Sequence, residues 1–262
     1  MFADDLRDSI LQEAIQGKLV PQDPNDEPAE ELVKRIRAEK QRLIEEKKIK
    51  KEKNVSEIYR RDGSWYETID GKDERCIDDE IPFDIPKTWS IVRFGSVVDF
   101  TIGKTPSRNN KSYWNNGEIP WVSISDMPTS GKIDKVKEKI SKDGYQNCFK
   151  KMCSPGTLLM SFKLSIGKIA ILDIYAVHNE AIVSIDTIID SNILKKWYFH
   201  ILPTIAKEGD YRTAIKGNTL NKESLNNLII PMPPLAEQRK IIEKIDTLMV
   251  CIDDLKRRDG GA

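Results

Sequence analysis

The sequence lacks net charge: 42 Lys and Arg stand against 42 Asp and Glu, a formal net charge of +0 at pH 7. No bulk positive field draws nucleic acid to such a chain, so any DNA contact needs a local concentration of cations. Histidine is scarce, with only His178 and His200, and the cysteines Cys76, Cys148, Cys153 and Cys251 are scattered without a C-x-x-C pair. This argues against a Cys/His zinc cage and fits reduced thiols in a cytosolic protein. No apolar run approaches the ~18–20 residues that cross a bilayer. The opening MFADDLRDSI is acidic and amphipathic, without the basic region and apolar run of a signal peptide. A soluble, cytoplasmic chain without a membrane partner is expected.

Signatures of catalysis are missing too. A base methyltransferase needs a cofactor cradle and a motif such as Asp/Asn-Pro-Pro-aromatic or Pro-Cys. Met232-Pro233-Pro234-Leu235 has the prolines but neither the polar first residue nor the aromatic last one. There is no G-x-x-x-x-G-K-[ST] loop and no G-x-G-x-x-G. Carboxylate-x-Lys triplets occur, but in a chain that is 32% charged they arise by chance. His178 follows an apolar run in AVHNEA and His200 lies on an expected helix, so both read as structural rather than as half of a nucleophile–base pair. No catalytic residue, metal ligand or cofactor is expected.

What is present falls into three textures. In residues 1–60, Leu6, Ile10, Leu11, Ala14 and Ile15 share one helical face, and Gly17 is placed to end that helix. PQDPNDEP cannot continue it. A second helix starts near Pro28, carries Leu32, Ile36 and Leu43 on one face, and runs out through IEEKKIKKEK, a basic tail read as a solvated face or a phosphate contact. Residues 61–84 read as a linker. Residues 85–232 hold β-type runs (SIVRF, IPWVSI, TLLMSF, KIAILDI, AIVSIDTII) separated by Gly, Asn, Asp and Ser, with one helix in SNILKKWYFHILPTIAKE broken near Pro203. From Pro233-Pro234 to residue 262 the chain reads as a single helix. Its Ile241, Ile245, Leu248, Ile252 and Leu255 are spaced 4, 3, 4, 3, the pattern of a coiled-coil seam. The expected class is α+β: one domain with a twisted, mostly antiparallel sheet, flanked by terminal helices.

Three loops of the middle zone are rich in groups that bind DNA. In the first, Lys104, Arg108 and Lys111 can neutralise phosphates, Thr105, Ser107, Asn109 and Asn110 can donate to phosphate or read base edges, and Tyr113 with Trp114 can stack or close the loop over the core. Lys163, Ser165 and Lys168 form a second basic turn. Lys216 and Asn218 belong to a third. Polar surface loops are ordinary, so only their convergence in space would make them a site.

Four segments resemble the specificity (S) subunits of type I restriction-modification systems. They are LRDSILQEAIQGKLVPQDPNDEPAEELVKRIRAEK, GKTPSRNNKSYWNNGEIPWVSISDM, PGTLLMSFKLSIGKIAI with the following HNEA, and IKGNTLNKESLNNLIIPMPPLAEQRKIIEKID. The last is the most specific, while Glu180 stands where the family often has Gln. The resemblance implies a target-recognition domain over 85–232 and conserved helices that form an antiparallel coiled-coil spacer. It also implies methyltransferase (M) subunits that carry adenine-N6 chemistry, and restriction/translocase (R) subunits that cleave double-stranded DNA read by the S chain. Such subunits have two recognition domains, whereas this sequence shows one. A second copy, or a different half subunit, is therefore expected to pair through Leu6, Ile10, Ile241, Ile245, Leu248, Ile252 and Leu255, so that a homodimer reads a palindromic split site. The competing readings are an S-like interaction module that occupies M subunits and regulates the system, and an enzyme with a cryptic nuclease centre.

Overall fold

The first apolar face forms helix α1 (Phe2–Ile15) in the computed structural model, which describes every residue except 1, 53, 83, 216–219 and 260–262. Gly17 ends it at φ +69: Lys18 N–H donates to Glu13 O at 2.9 Å and Gly17 N–H to Ala14 O at 3.2 Å. These are the paired bonds of a left-handed helix stop. Helix α2 (Ala29–Glu45) buries Leu32, Val33 and Ile36 and stops at the start of the expected basic tail, 44–53, without running through it. There Lys47 takes φ 58 and Lys48 N–H reaches back to Leu43 O at 2.9 Å, the same stop built on a lysine. Beyond it no apolar face remains to hold a helix against the protein.

The stretch expected to be a linker is instead a three-stranded antiparallel sheet, β1 (Ser56–Arg61), β2 (Ser64–Ile69) and β3 (Lys72–Cys76). Asp62-Gly63 and Asp70-Gly71, all at positive φ, make its two-residue turns. Asp-Gly favours such hairpins because both positions tolerate left-handed backbone. Glu67 on β2 is buried and accepts from Arg93 Nε at 2.8 Å and Nη2 at 2.7 Å. Arg93 ends β4 (Ser90–Arg93) and also donates to Glu80 and Asn227 O. The buried Arg93 guanidinium holds the Glu67 carboxyl down to about 2 against the upward push of its own burial.

After β4 come the short helix α3 (Phe94–Val97) and, later in the chain, helix α5 (Asn192–Ile215), strand β13 (Ile229–Met232) and helix α7 (Leu235–Asp259). Pro203 lies inside α5 without ending it, contrary to the expected break. β13 pairs antiparallel with β4, while Trp197 packs edge-on against Trp89 and Tyr198 edge-on against Phe94. Helix α7 packs on α1 in antiparallel sense: Arg7 pairs with Asp253 near the end of α7, and Gln22 bonds Glu237 in its first turn. Ile241, Ile245 and Ile252 are buried within the chain itself, Leu248, Leu6 and Ile10 are half-buried, and Leu255 is 39% exposed. The seam expected to join a second copy is therefore largely used up inside one chain, because α1 supplies the apolar face that α7 needs.

Residues Met1–Val97, Thr187–Ile205 and Asn226–Ala262 form one compact unit, and Val98–Asp186 with Ala206–Leu225 form another. The division cuts across the expected 85–232 domain, because β4, β13 and the first turns of α5 pack with the terminal helices. The second unit contains a five-stranded sheet in the order β5 (Val98–Ile102), β12 (Ile182–Thr187), β9 (Leu158–Ser161), β10 (Ile169–Leu172) and β7 (Ser130–Ile133). β9 runs antiparallel to both β10 and β12, and β7 pairs parallel with β10. A second sheet joins β6 (Ile119–Val122) to β8 (Glu138–Ile140) and β11 (Val177–His178). This unit also holds α4 (Lys142–Cys148), the part of α5 from Ala206 onward and nearly all of α6 (Lys222–Asn226). Val122, Met127, Leu159, Ala170, Leu172 and Ile182 form the core between these strands. The architecture is α+β with mostly antiparallel pairing and a helix near each end, as expected.

Candidate nucleic-acid interface

Strand directions place several loops at one end of the five-stranded sheet. β9 ends where β10 and β12 begin, and the parallel partner β7 begins there as well. Gly103, the residue after β5, donates to Ile182 O at 3.2 Å, so β5 also ends at this edge. The residues between β11 and β12 tie the edge together. Lys104 N–H donates to His178 O at 2.9 Å, the Thr105 hydroxyl to the Glu180 carboxylate, and Phe162 N–H to Ala181 O at 3.0 Å. The start of the first expected loop, 101–117, and Phe162, which leads into the second, 163–168, thus meet through 178–182.

Close backbone approach explains the glycine between β5 and Lys104. A Cβ on Gly103 would stand 2.0 Å from His178 O and 2.3 Å from Asn179 O. His178 itself is buried, and desolvation pushes its imidazole down to about 4, so it is neutral at physiological pH and serves the fold. Glu180 fixes the Thr105 hydroxyl, which thereby turns from a free donor into a loop anchor.

The first loop divides into parts that brace and parts that are presented. Arg108 lies 3.6 Å over the Trp114 ring and forms a two-pronged pair with Glu138 at 2.6 and 2.9 Å. Each partner shifts the other toward its charged form, Arg108 upward and Glu138 downward. The phosphate-binding role expected of Arg108 is weakened accordingly, since its charge is already met by a carboxylate. Trp114 packs edge-on against Trp121 at 5.2 Å and donates to Ser107 O at 3.2 Å, which makes it a closure of the loop over the core. Asn110 accepts from Ser112 N–H and hydroxyl at 3.1 and 2.8 Å, and half-buried Tyr113 accepts at its carbonyl from Ser141 N–H. Lys104, Ser107, Asn109 and Lys111 remain exposed.

The second loop is the turn between β9 and β10. The Ser161 hydroxyl donates to Ser165 O and accepts from Lys168 N–H, while Gly167 N–H donates to Ser161 O at 3.0 Å. Lys168 is half-buried, and its ammonium donates to Met127 O at 3.2 Å and Ile124 O at 3.4 Å, bracing the neighbouring turn 124–126. Lys163 and Ser165 are exposed. Among the described residues, Lys104, Lys111 and Lys163 form no ion pair, whereas Lys132, Lys142 and Lys151 of the same unit are paired with Asp173, Glu118 and Asp186. Lys104 and Lys163 thereby stand at this edge with the exposed carboxylate of Glu180. Lys216 and Asn218 of the third loop lie outside the described residues; Lys222 beyond them stands 5.8 Å from the Phe100 ring of β5. Among the described residues no cluster of three or more His, Cys, Asp or Glu is placed to hold a metal, and no helix is long and apolar enough to cross a membrane.

Sequence reasoning did not find Glu138, the Lys168 brace or the organising role of residues 178–182. Glu138 lies thirty positions from Arg108, and nothing local marks it as a partner.

The edge can be set against known proteins. The family model for the type I restriction modification DNA specificity domain matches residues 86–259. The chain belongs to that family. Over 97% of its length it is 27% identical to the specificity subunit of the type I restriction enzyme EcoEI of Escherichia coli, of which it spans 42%. With the EcoAI specificity subunit of the same organism it shares 45% identity over 100 residues, 38% of this chain and 14% of that one. Both relatives are named as specificity subunits of type I restriction enzymes. The fold agrees with the HsdS subunit from Thermoanaerobacter tengcongensis (TM-score 0.50, 23% identity, 67% of this chain and 40% of that one). It agrees also with a chain from a study of complex assembly and conformational transition of the type I R-M system (TM-score 0.52, 20% identity, 89% and 52%).

Proposed function

We propose that this specificity-family chain reads double-stranded DNA for a type I restriction-modification complex, directing adenine-N6 methylation by M subunits and restriction by R subunits. The observation that carries this reading is the convergence of the first two loops on residues 178–182, with Lys104 and Lys163, neither in an ion pair among the described residues, in the same loops as exposed Asn109 and Ser165. Cations without a carboxylate partner among the described residues supply the sequence-independent grip on phosphate, and short polar side chains on a braced frame supply base-edge contacts. One recognition domain addresses one half-site. A second copy of the chain, or another half subunit, completes a split site, and joins through surface other than the buried Ile241, Ile245 and Ile252. The test is methylation-aware sequencing of DNA exposed to the purified chain with M subunits. New adenine methylation at one split sequence is expected. Absence of new methylation, together with loss of methylation by a co-expressed full-length specificity subunit, would refute DNA reading in favour of competition for M.

A further inference from the structure

The tip of the β9–β10 turn carries an unusual side chain. Leu164 is 86% exposed, the most exposed large apolar residue among those described, and it holds φ 62. That backbone region favours Gly, Asn or Asp, and a branched apolar residue there is strained. A bare leucine at such a position serves neither the core nor the turn. The turn beneath it is nevertheless tightly held by the Ser161 hydroxyl on Ser165 O and Lys168 N–H, by Ile166 N–H on Leu164 O at 3.1 Å, and by Phe162 N–H on Ala181 O. Exposed Lys163 and Ser165 flank the tip.

We propose that Leu164 is an apolar wedge that enters between two stacked base pairs of the bound DNA; this rests on the DNA-reading function proposed above. Side chains that unstack a base step must project from a rigid support, because unstacking costs free energy that a mobile loop would dissipate by bending away. The braced turn is such a support, and Lys163 beside the tip suits the phosphates flanking an opened step. A contact with a thymine methyl in the major groove would need the same apolar residue but no opening of the stack. A protein partner for Leu164 would not call for the exposed lysine next to it, which has no ion pair among the described residues.

The experiment uses the full chain with M subunits and a duplex bearing the site found by methylation sequencing. 2-Aminopurine replaces each adenine in turn, except the one that becomes methylated. Wild type is expected to raise fluorescence several-fold at one step, and Leu164→Ala to abolish that rise and weaken site-specific binding on the order of tenfold with an unchanged salt slope. Leu164→Gly should lose the same signal without a lower Tm, since glycine fits the left-handed position, which separates function from folding. A rise that persists in both variants overturns the wedge. So does a wild-type complex that binds the site without any rise but loses affinity when thymine is replaced by uracil, or variants that lose M association while keeping DNA unstacking. A wild-type complex with no site-specific binding refutes the reading function itself, an outcome visible before any variant is made.

Discussion

Lys104 and Arg108 sit in one loop, yet the structure gives their charges different destinations. Lys104 is exposed and without an ion pair among the described residues, whereas Arg108 is paired with Glu138 and stacked on Trp114. Lys104→Ala should therefore remove one phosphate contact and nothing else. The slope of log K against log salt then falls by on the order of 0.9, roughly a 3.5-fold smaller affinity loss between 50 and 200 mM salt. The Tm should stay within about 1 °C of wild type. The contrasting variant, Arg108→Met with Glu138→Gln, removes the pair without leaving a lone charge. Both side chains are about half exposed, 50% and 43%, so surface values apply. The ion pair contributes about 0.2–1 kcal/mol and the cation over the ring about 0.5–1 kcal/mol. A loss of on the order of 1–1.5 kcal/mol should lower Tm by about 3–5 °C, with the salt slope nearly unchanged. Fluorescence anisotropy over a salt series and differential scanning calorimetry read the two quantities. Equal slope changes from both variants, or a Tm loss from Lys104→Ala as large as that of the pair, would refute the division into presented and braced cations.

Other outcomes follow from neighbouring geometry. Gly103→Ala drives a methyl group into the His178 and Asn179 carbonyls, so it should destabilise by about 1–3 kcal/mol and weaken DNA binding by displacing Lys104; urea melts and anisotropy measure both. Arg93→Met removes the buried cation from Glu67 but leaves it Arg75 and the Ser56 hydroxyl, so it should cost about 3 kcal/mol in urea unfolding, the low end for breaking a buried pair. The Glu67 carboxyl is depressed from 4.5 to about 2 in the folded protein, so its stabilisation is complete above pH 4.5 and is lost as pH falls toward 2. Wild type should therefore lose on the order of 2 kcal/mol between pH 6 and pH 3 from this group, a dependence that Arg93→Met flattens.

Much of the candidate edge was legible in the residues, since GKTPSRNNK and KLSIGK stand out as basic, polar breaks between apolar runs. Their roles were less so. Arg108 and Lys168 look like phosphate binders in sequence, but the fold brings Glu138 to one and the carbonyls of Ile124 and Met127 to the other. The sheet over 56–76 was announced locally by Asp62-Gly63 and Asp70-Gly71, a turn signal outweighed by the density of charge around it.

By itself the sequence determined the presence of the terminal helices, the stop of α1 at Gly17, the absence of catalytic motifs and the family, because periodicity, glycine placement and short motifs are local properties of the chain. The tertiary structure alone decided that α7 is covered by α1 of the same chain, that β4 and β13 join the terminal helices, and that two distant loops meet through residues 178–182. An apolar stripe specifies that a face must be covered but not by what, and a strand specifies which side is buried but not which partner it pairs with. Both answers depend on contacts between residues far apart in sequence.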